Sequence, residues 1–244
     1  FQTKVYEIPQ GTRVSKGRAV HNFLELPSEE KISAIINYSS EGTDKEKSLF
    51  MATERGIVKK TTLKDFANIR RTGIIAISLK EKDVLKWVTL AGKGDEVIMV
   101  TKGGKSIRFK ESDTRAMGRS AAGVRGISLK SGDIVSSFDI IKGDEKVEFL
   151  VIMENGYGKR TPLNQYKVQR RGGSGIITAK VTSKTGGVVS SHVIINEGEL
   201  LAISKKGQVI RTKIQDIRKT GRSAQGVRIM TLKSGDKLAG TVVL

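Results

Sequence analysis

Hydrophobic positions in this chain come in short runs divided by polar turns that carry glycine. Ser48-Leu49-Phe50-Met51-Ala52-Thr53 and Glu96-Val97-Ile98-Met99-Val100-Thr101 show the pattern. Runs of this length, rich in Ile, Val and Phe, predict strands. A turn follows each: Glu54-Arg55-Gly56, Lys102-Gly103-Gly104, Glu154-Asn155-Gly156 and Lys205-Lys206-Gly207. A second strand comes next and carries a cation four residues past the glycine, at Lys60, Arg108, Arg160 and Arg211. This spacing predicts β-hairpins. The polar connection that follows, such as Lys110-Glu111-Ser112-Asp113-Thr114-Arg115, has room for one helical turn but not for a core helix. A glycine-rich basic loop comes next. Beyond it a third strand is expected over Gly126-Ile127-Ser128-Leu129, and past a Gly-Asp turn a fourth over residues 134–140.

The pattern is a repeat. The hairpin glycines Gly56, Gly104, Gly156 and Gly207 recur about every 50 residues, and the loop glycines Gly73, Gly123, Gly175 and Gly226 keep step with them. Four short strands per unit of about 50 residues predict propeller blades. The expected architecture is all-β: one domain over residues 1–244, with a partial blade at 1–45 and whole blades at 46–94, 95–145, 146–196 and 197–244. The loop of the first unit is Thr12-Arg13-Val14-Ser15-Lys16-Gly17, which puts its hairpin glycine before Phe1. The chain is therefore expected to open inside a strand whose hairpin partner is absent.

Charge narrows the function. The 244 residues carry 44 Lys+Arg against 25 Asp+Glu, a formal net charge of +19. So large an excess of one sign exceeds what solubility requires and points to a polyanion partner. With no cysteine there is no disulfide framework or thiolate metal site, and His21 and His192 lie far apart without a ligand pattern around them. No apolar run approaches a membrane span, and Phe1-Gln2-Thr3-Lys4-Val5 lacks signal-peptide organisation, so a cytoplasmic location is expected. No Ser/His/Asp order and no phosphate-binding P-loop is present. Aromatics are 5% with Trp87 the single tryptophan, which disfavours single-strand stacking and RNA reading.

The cations gather in the repeated loops. They are Arg13 and Lys16; Arg70 and Arg71; Arg119; Arg170 and Arg171; and Lys219 and Arg222. Arg18, Arg125 and Arg228 sit just past the loop glycines. One basic loop means little, because loops face water. Five in register predict a band of cations along one rim of a ring, suited to duplex phosphates. Lys60, Arg108, Arg160 and Arg211 fit a solvent-facing strand and a DNA contact equally well. The loop Gln169-Arg170-Arg171-Gly172-Gly173-Ser174-Gly175 is the densest case, with two forked cations leading into backbone that glycine keeps open to a phosphate oxygen.

That heptapeptide resembles the signature of the C-terminal domain of gyrase A, part of DNA gyrase, which reads Gln, Arg or Lys, Arg, Gly, Gly, Arg or Lys, Gly. Arg108-Phe109-Lys110-Glu111-Ser112, Gly123-Val124-Arg125-Gly126-Ile127 and Asn155-Gly156-Tyr157-Gly158-Lys159-Arg160-Thr161 resemble the same domain, and the likeness runs over essentially the whole chain. Ser174 departs from the pattern by replacing a cation, and the motif lies in a later unit than the family's usual first blade. The resemblance implies a β-pinwheel whose neighbouring blades exchange strands. It implies a non-catalytic module that wraps double-stranded DNA in support of ATP-dependent negative supercoiling. The partners implied are the rest of gyrase A and gyrase B in an A2B2 holoenzyme, with ATP and Mg held there and no cofactor in this chain. The corresponding domain of topoisomerase IV is the alternative relative, and a propeller-type protein-interaction scaffold the alternative class.

Overall fold

The computed structural model describes residues 1–12, 14–22, 24–26, 30–39, 46–143 and 147–244. Its strands run in chain order β1 (Ser48–Thr53), β2 (Ile57–Thr62), β3 (Leu85–Ala91), β4 (Glu96–Thr101), β5 (Lys105–Lys110), β6 (Val124–Arg125), β7 (Val135–Ile141), β8 (Glu148–Met153), β9 (Tyr157–Pro162), β10 (Ile176–Ile177), β11 (Val188–Ile194), β12 (Glu199–Ser204), β13 (Val209–Lys213), β14 (Val227–Arg228) and β15 (Leu238–Val243). They form four antiparallel sheets: β3-β1-β2-β6, β7-β4-β5-β10, β11-β8-β9-β14 and the three-stranded β15-β12-β13. No helix among the described residues is long and apolar enough to cross a membrane. Single turns of 3-10 helix, such as Leu63–Phe66 and Glu111–Asp113, follow the hairpins.

Each hairpin closes through its glycine. Gly56, Gly104, Gly156 and Gly207 all hold φ near +80°, which a side chain resists. A Cβ at Gly156 would also come within 2.2 Å of the Met230 carbonyl. The central strands β1, β4 and β8 are buried on both faces, which is why they read as unbroken apolar runs, whereas β12 buries Leu200 and Ala202 on one face and exposes Ile203 on the other. Successive side chains serve opposite neighbours. Val97 and Met99 of β4 join Phe50 and Phe138 in one core, while Ile98 and Val100 join Phe149 and Tyr166 in the next. Phe149 and Val151 of β8 lie in that second core, and Leu150 and Ile152 in a third with Leu200 and Leu238. The sheets are thus stacked by alternation along their own central strands.

Three sequence expectations need correction. In the last three units the third strand is two residues long and earlier than expected, at Val124–Arg125 in place of residues 126–129, and the unit at 46–94 has none. Both Gly126 and Ile127 donate N–H to the Gly56 carbonyl, which turns the chain out of the ladder. The strand also pairs with the previous unit's hairpin, β6 with β2, β10 with β5 and β14 with β9, as the strand exchange of the resembled family implies. The fourth strand is Val135–Ile141, because the Ile134 carbonyl is taken by the Lys102 N–H at the hairpin turn. Finally, the chain does not open in a strand. The described residues before Ser48 include the 3-10 turns Val5–Glu7 and Val20–Asn22 and no ladder. A strand needs hydrogen-bond partners for its backbone, and no hairpin lies against this segment.

Candidate nucleic-acid interface

The basic loops are fastened along the outer edge of the preceding hairpin. At equivalent places Met117 N–H donates to the Lys60 carbonyl at 2.8 Å, Gln169 N–H to Arg108 at 2.7 Å and Thr220 N–H to Arg160 at 2.9 Å. Neighbouring loops are also joined to one another. Ser78 N–H reaches the Ala121 carbonyl, Gly172 N–H reaches Gly126, Ser128 N–H reaches Gly173 and Lys180 N–H reaches Ala224. Arg171 adds a side-chain tie, donating from Nε to the Asp113 carbonyl at 2.8 Å and from Nη1 to the Arg125 carbonyl at 2.9 Å. Arg222 likewise bonds the Ile177 carbonyl. The loops around residues 69–78, 115–128, 167–180 and 218–228 therefore form one connected band across four units.

Arg70, Arg71, Arg119, Arg125, Arg170, Lys219 and Arg228 are exposed on this band, and Arg171 and Arg222 are half-buried. Arg170 has no hydrogen-bond or ion-pair partner among the described residues. Arg228 lies over the Tyr157 ring, 5.6 Å from its centroid, and Lys219 pairs with Glu148. Lys16 and Arg18 are exposed, but no hydrogen bond joins the described part of residues 12–18 to the band. Arg13 lies outside the described residues.

The four hairpin cations have another use. Lys60 pairs with Glu111 at 2.5 Å, Arg108 with Glu96, Arg160 with Glu148 at 2.7 Å and Arg211 with Glu199. Arg108 also donates to the Leu163 and Tyr166 carbonyls, and Arg160 to those of Ile217 and Gln215, so each holds the next unit's 3-10 turn. Burial opposes the charge of Glu148, but Lys219 and Arg160 outweigh it and hold the carboxyl below its usual range. Only Arg211 keeps a largely exposed side chain, at 64%. The other three are inter-blade fasteners.

The heptapeptide is built differently from its sequence expectation. The Gln169 side-chain nitrogen is buried and has no partner among the described residues, so it does not face a surface phosphate. The N–H of Gly172 is used on Gly126. Gly175 sits at φ +67°, where a Cβ would come within 2.3 Å of the Ser106 carbonyl, so its role is close fit against β5. Gly173 and Ser174 are exposed. Sequence reasoning passed over the exposed Arg115, Lys167 and Arg218, which lead into three of the loops in register. It also passed over two lysines, Lys59 and Lys159, that are wholly buried beneath loops. Among the described residues no cluster of three His, Asp or Glu could hold a metal ion.

A family model described as the DNA gyrase C-terminal domain, beta-propeller, matches residues 47–91, 95–142, 148–194 and 198–244. The chain is 41% identical over 235 residues to the gyrase A protein of Staphylococcus epidermidis (strain ATCC 12228), covering 96% of this chain and 26% of the relative. To the gyrase A protein of Staphylococcus aureus (strain NCTC 8325) it is 41% identical over 242 residues, covering 99% and 27%. It thus spans about a quarter of the length of these curated relatives. Among solved structures, a DNA gyrase A C-terminal domain superposes with a TM-score of 0.82 at 28% identity, covering 99% of this chain and 77% of that one. A C-terminal domain of DNA topoisomerase IV shares the fold, with a TM-score of 0.84 at 24% identity over 93% and 70% of the two chains.

Proposed function

The chain belongs to the DNA gyrase C-terminal domain family, and from that premise we propose that it binds duplex DNA along the band of basic loops and bends it. The carrying observation is the hydrogen-bonded continuity of the loops, which sets exposed cations from successive units along one path. Each phosphate neutralised on that path releases condensed counterions, so affinity comes from the backbone and not from base edges. A smooth bend of a short site costs about 1–6 kcal/mol. About ten phosphate contacts offset that cost and give a slope near −9 for log affinity against log salt.

In this reading the chain supplies no covalent chemistry and no cofactor. DNA cleavage, and ATP with Mg, belong to gyrase B and to the rest of gyrase A in a cytoplasmic holoenzyme. The module's part is to wrap DNA with a right-handed sense so that strand passage lowers the linking number. The test is topological: incubate the chain with nicked circular plasmid, seal the nick, remove protein and read the linking number on a gel. A protein-dependent positive shift is the expected result. Tight binding with no shift would reduce the role to holding or bending DNA, and absence of duplex binding would overturn the reading.

A further inference from the structure

Lys59 in β2 and Lys159 in β9 are the third residues past their hairpin glycines, and both are 0% exposed. Each ammonium is spent on loop carbonyls, Lys59 joining two loops and Lys159 bonding within one. Lys59 Nζ donates to the Ala76 carbonyl at 2.6 Å and to that of Arg119. Lys159 Nζ donates to the Gly221 carbonyl at 2.7 Å and to that of Arg222. The same position is Ile107 in β5 and Ile210 in β13. Gly118-Arg119-Ser120 and Gly221-Arg222-Ser223 lie over lysine, while Gly172-Gly173-Ser174 lies over Ile107, with a Cβ at Gly173 placed 3.8 Å from the Ile107 Cδ1.

A buried ammonium is costly unless hydrogen-bonded, so a cation here serves geometry better than stability. Burial lowers the Lys159 pKa to about 8, with the Arg222 charge adding to the effect, and burial also lowers Lys59. Because the peptide is planar and trans, a carbonyl aimed at the ammonium sends the next residue's N–H the opposite way. Those N–H groups belong to Ser120 and Ser223, and neither has a partner among the described residues. Each lysine thereby fixes a turn that leaves an exposed serine N–H free beside an arginine; Arg119 is exposed, and Arg222 is half-buried with one nitrogen on the Ile177 carbonyl.

We propose that Lys59 and Lys159 are positioning residues for the phosphate contact, each pinning the arginine carbonyl of a Gly-Arg-Ser turn so that Arg119 or Arg222 and the following serine N–H meet one phosphate. This inference rests on the duplex-binding reading above. The two arginines gain a second donor at a fixed distance, which a mobile side chain alone lacks. The glycine-built loop over Ile107 achieves its shape through close backbone packing and needs no ammonium.

The test is a double-mutant cycle in the whole chain: K159M, R222A and both together, each checked for folding by circular dichroism melts. Duplex affinity is read by fluorescence anisotropy. K159M is expected to weaken binding about fivefold with Arg222 present, and less than about twofold in the R222A background. An equal loss in both backgrounds, or none in either, overturns the positioning role while leaving duplex binding intact. An unaltered chain that fails to bind duplex overturns the functional reading and this inference together. If K159M does not fold, the cycle of K59M with R119A asks the same question at the equivalent site. Amide hydrogen exchange of the unaltered chain needs no variant. Ser120 and Ser223 should exchange freely alone and become protected on adding duplex, and no added protection overturns the proposal.

Discussion

Arg170 and Arg171 are neighbours in sequence, and the structure gives them opposite sensitivities. Arg170 is exposed and has no internal partner among the described residues, whereas Arg171 holds the carbonyls of Asp113 and Arg125. Replace each with alanine. One phosphate contact contributes about 0.9 to the slope of log affinity against log salt, which at about 0.15 M salt is a factor of about five, or near 1 kcal/mol. R170A should lose that factor and that increment of slope. It leaves no buried group unsatisfied, so its melting temperature should move by less than about 1 °C. R171A removes two charge-assisted bonds between loops at a partly exposed site, worth about 1 kcal/mol in total, and should lower the melting temperature by about 2–4 °C. The assay is fluorescence anisotropy on a duplex between about 50 and 200 mM salt, paired with calorimetric melts. An unchanged slope in R170A, or a melting shift as large as that of R171A, would refute the division of labour.

Three further outcomes follow from the packing. The His192 pKa is lowered from 6.5 to about 4 by burial, against the pull of Glu197, and its Nε2 lies 2.8 Å from Thr241 Oγ1. Between those values the unfolded chain binds the proton and the folded chain does not, so stability falls as pH drops through the window, by about 3 kcal/mol in full. Burial raises the Asp139 pKa and works in the opposite sense at the low end. H192Q should flatten the acid limb of a melting-temperature profile, and an unaltered limb would show that the proton is taken up elsewhere. G175A forces a side chain to φ +67° and against Ser106, so it should cost at least about 1–3 kcal/mol in chemical denaturation; a neutral result would contradict the close fit. Phe149 is fully buried with its ring 5.2 Å from that of Tyr166, so F149A should cost about 3–5 kcal/mol and about 10 °C of melting temperature.

The hairpins were legible because two independent signals coincide there. Short apolar runs fix the strands, and a glycine at positive φ fixes the turn. Loop register was legible from the second set of glycines, among them Gly175, whose place against Ser106 only glycine can take. Strand exchange left no local trace. Val124-Arg125 is a two-residue ladder, too short for periodicity, and its partner β2 lies more than sixty residues back. The buried lysines were hidden inside the basic strings Lys59-Lys60 and Lys159-Arg160. Side-chain alternation in strands would have separated them. Ile107 and Phe109 are apolar and 0% exposed at the third and fifth places past Gly104. By register, Lys59 and Lys159 occupy that same inward row, while Lys60 and Arg160 fall on the other side.

The net charge of +19 is therefore not spread evenly over functional surface. Three glutamates are committed to holding units together. Glu111 takes Lys60, Glu148 takes Arg160 and Lys219, and Glu154 takes Lys102 at 2.9 Å and Lys237 at 3.5 Å, linking three successive sheets. Among the described residues Arg170, on the loop band, has no such partner. Screening at physiological salt acts over about 8 Å, so a bound phosphate feels the loop cations beside it and little of the paired charge between blades. Affinity and stability should accordingly separate. Neutralising a fastener such as Glu154 unties the sheets and moves the melting temperature, with the salt slope of duplex binding left in place. Neutralising an unpaired loop cation such as Arg170 moves the slope alone. A set of fastener variants that shifted the slope as strongly as loop variants would mean that phosphate binding draws on total charge and not on the path the loops define.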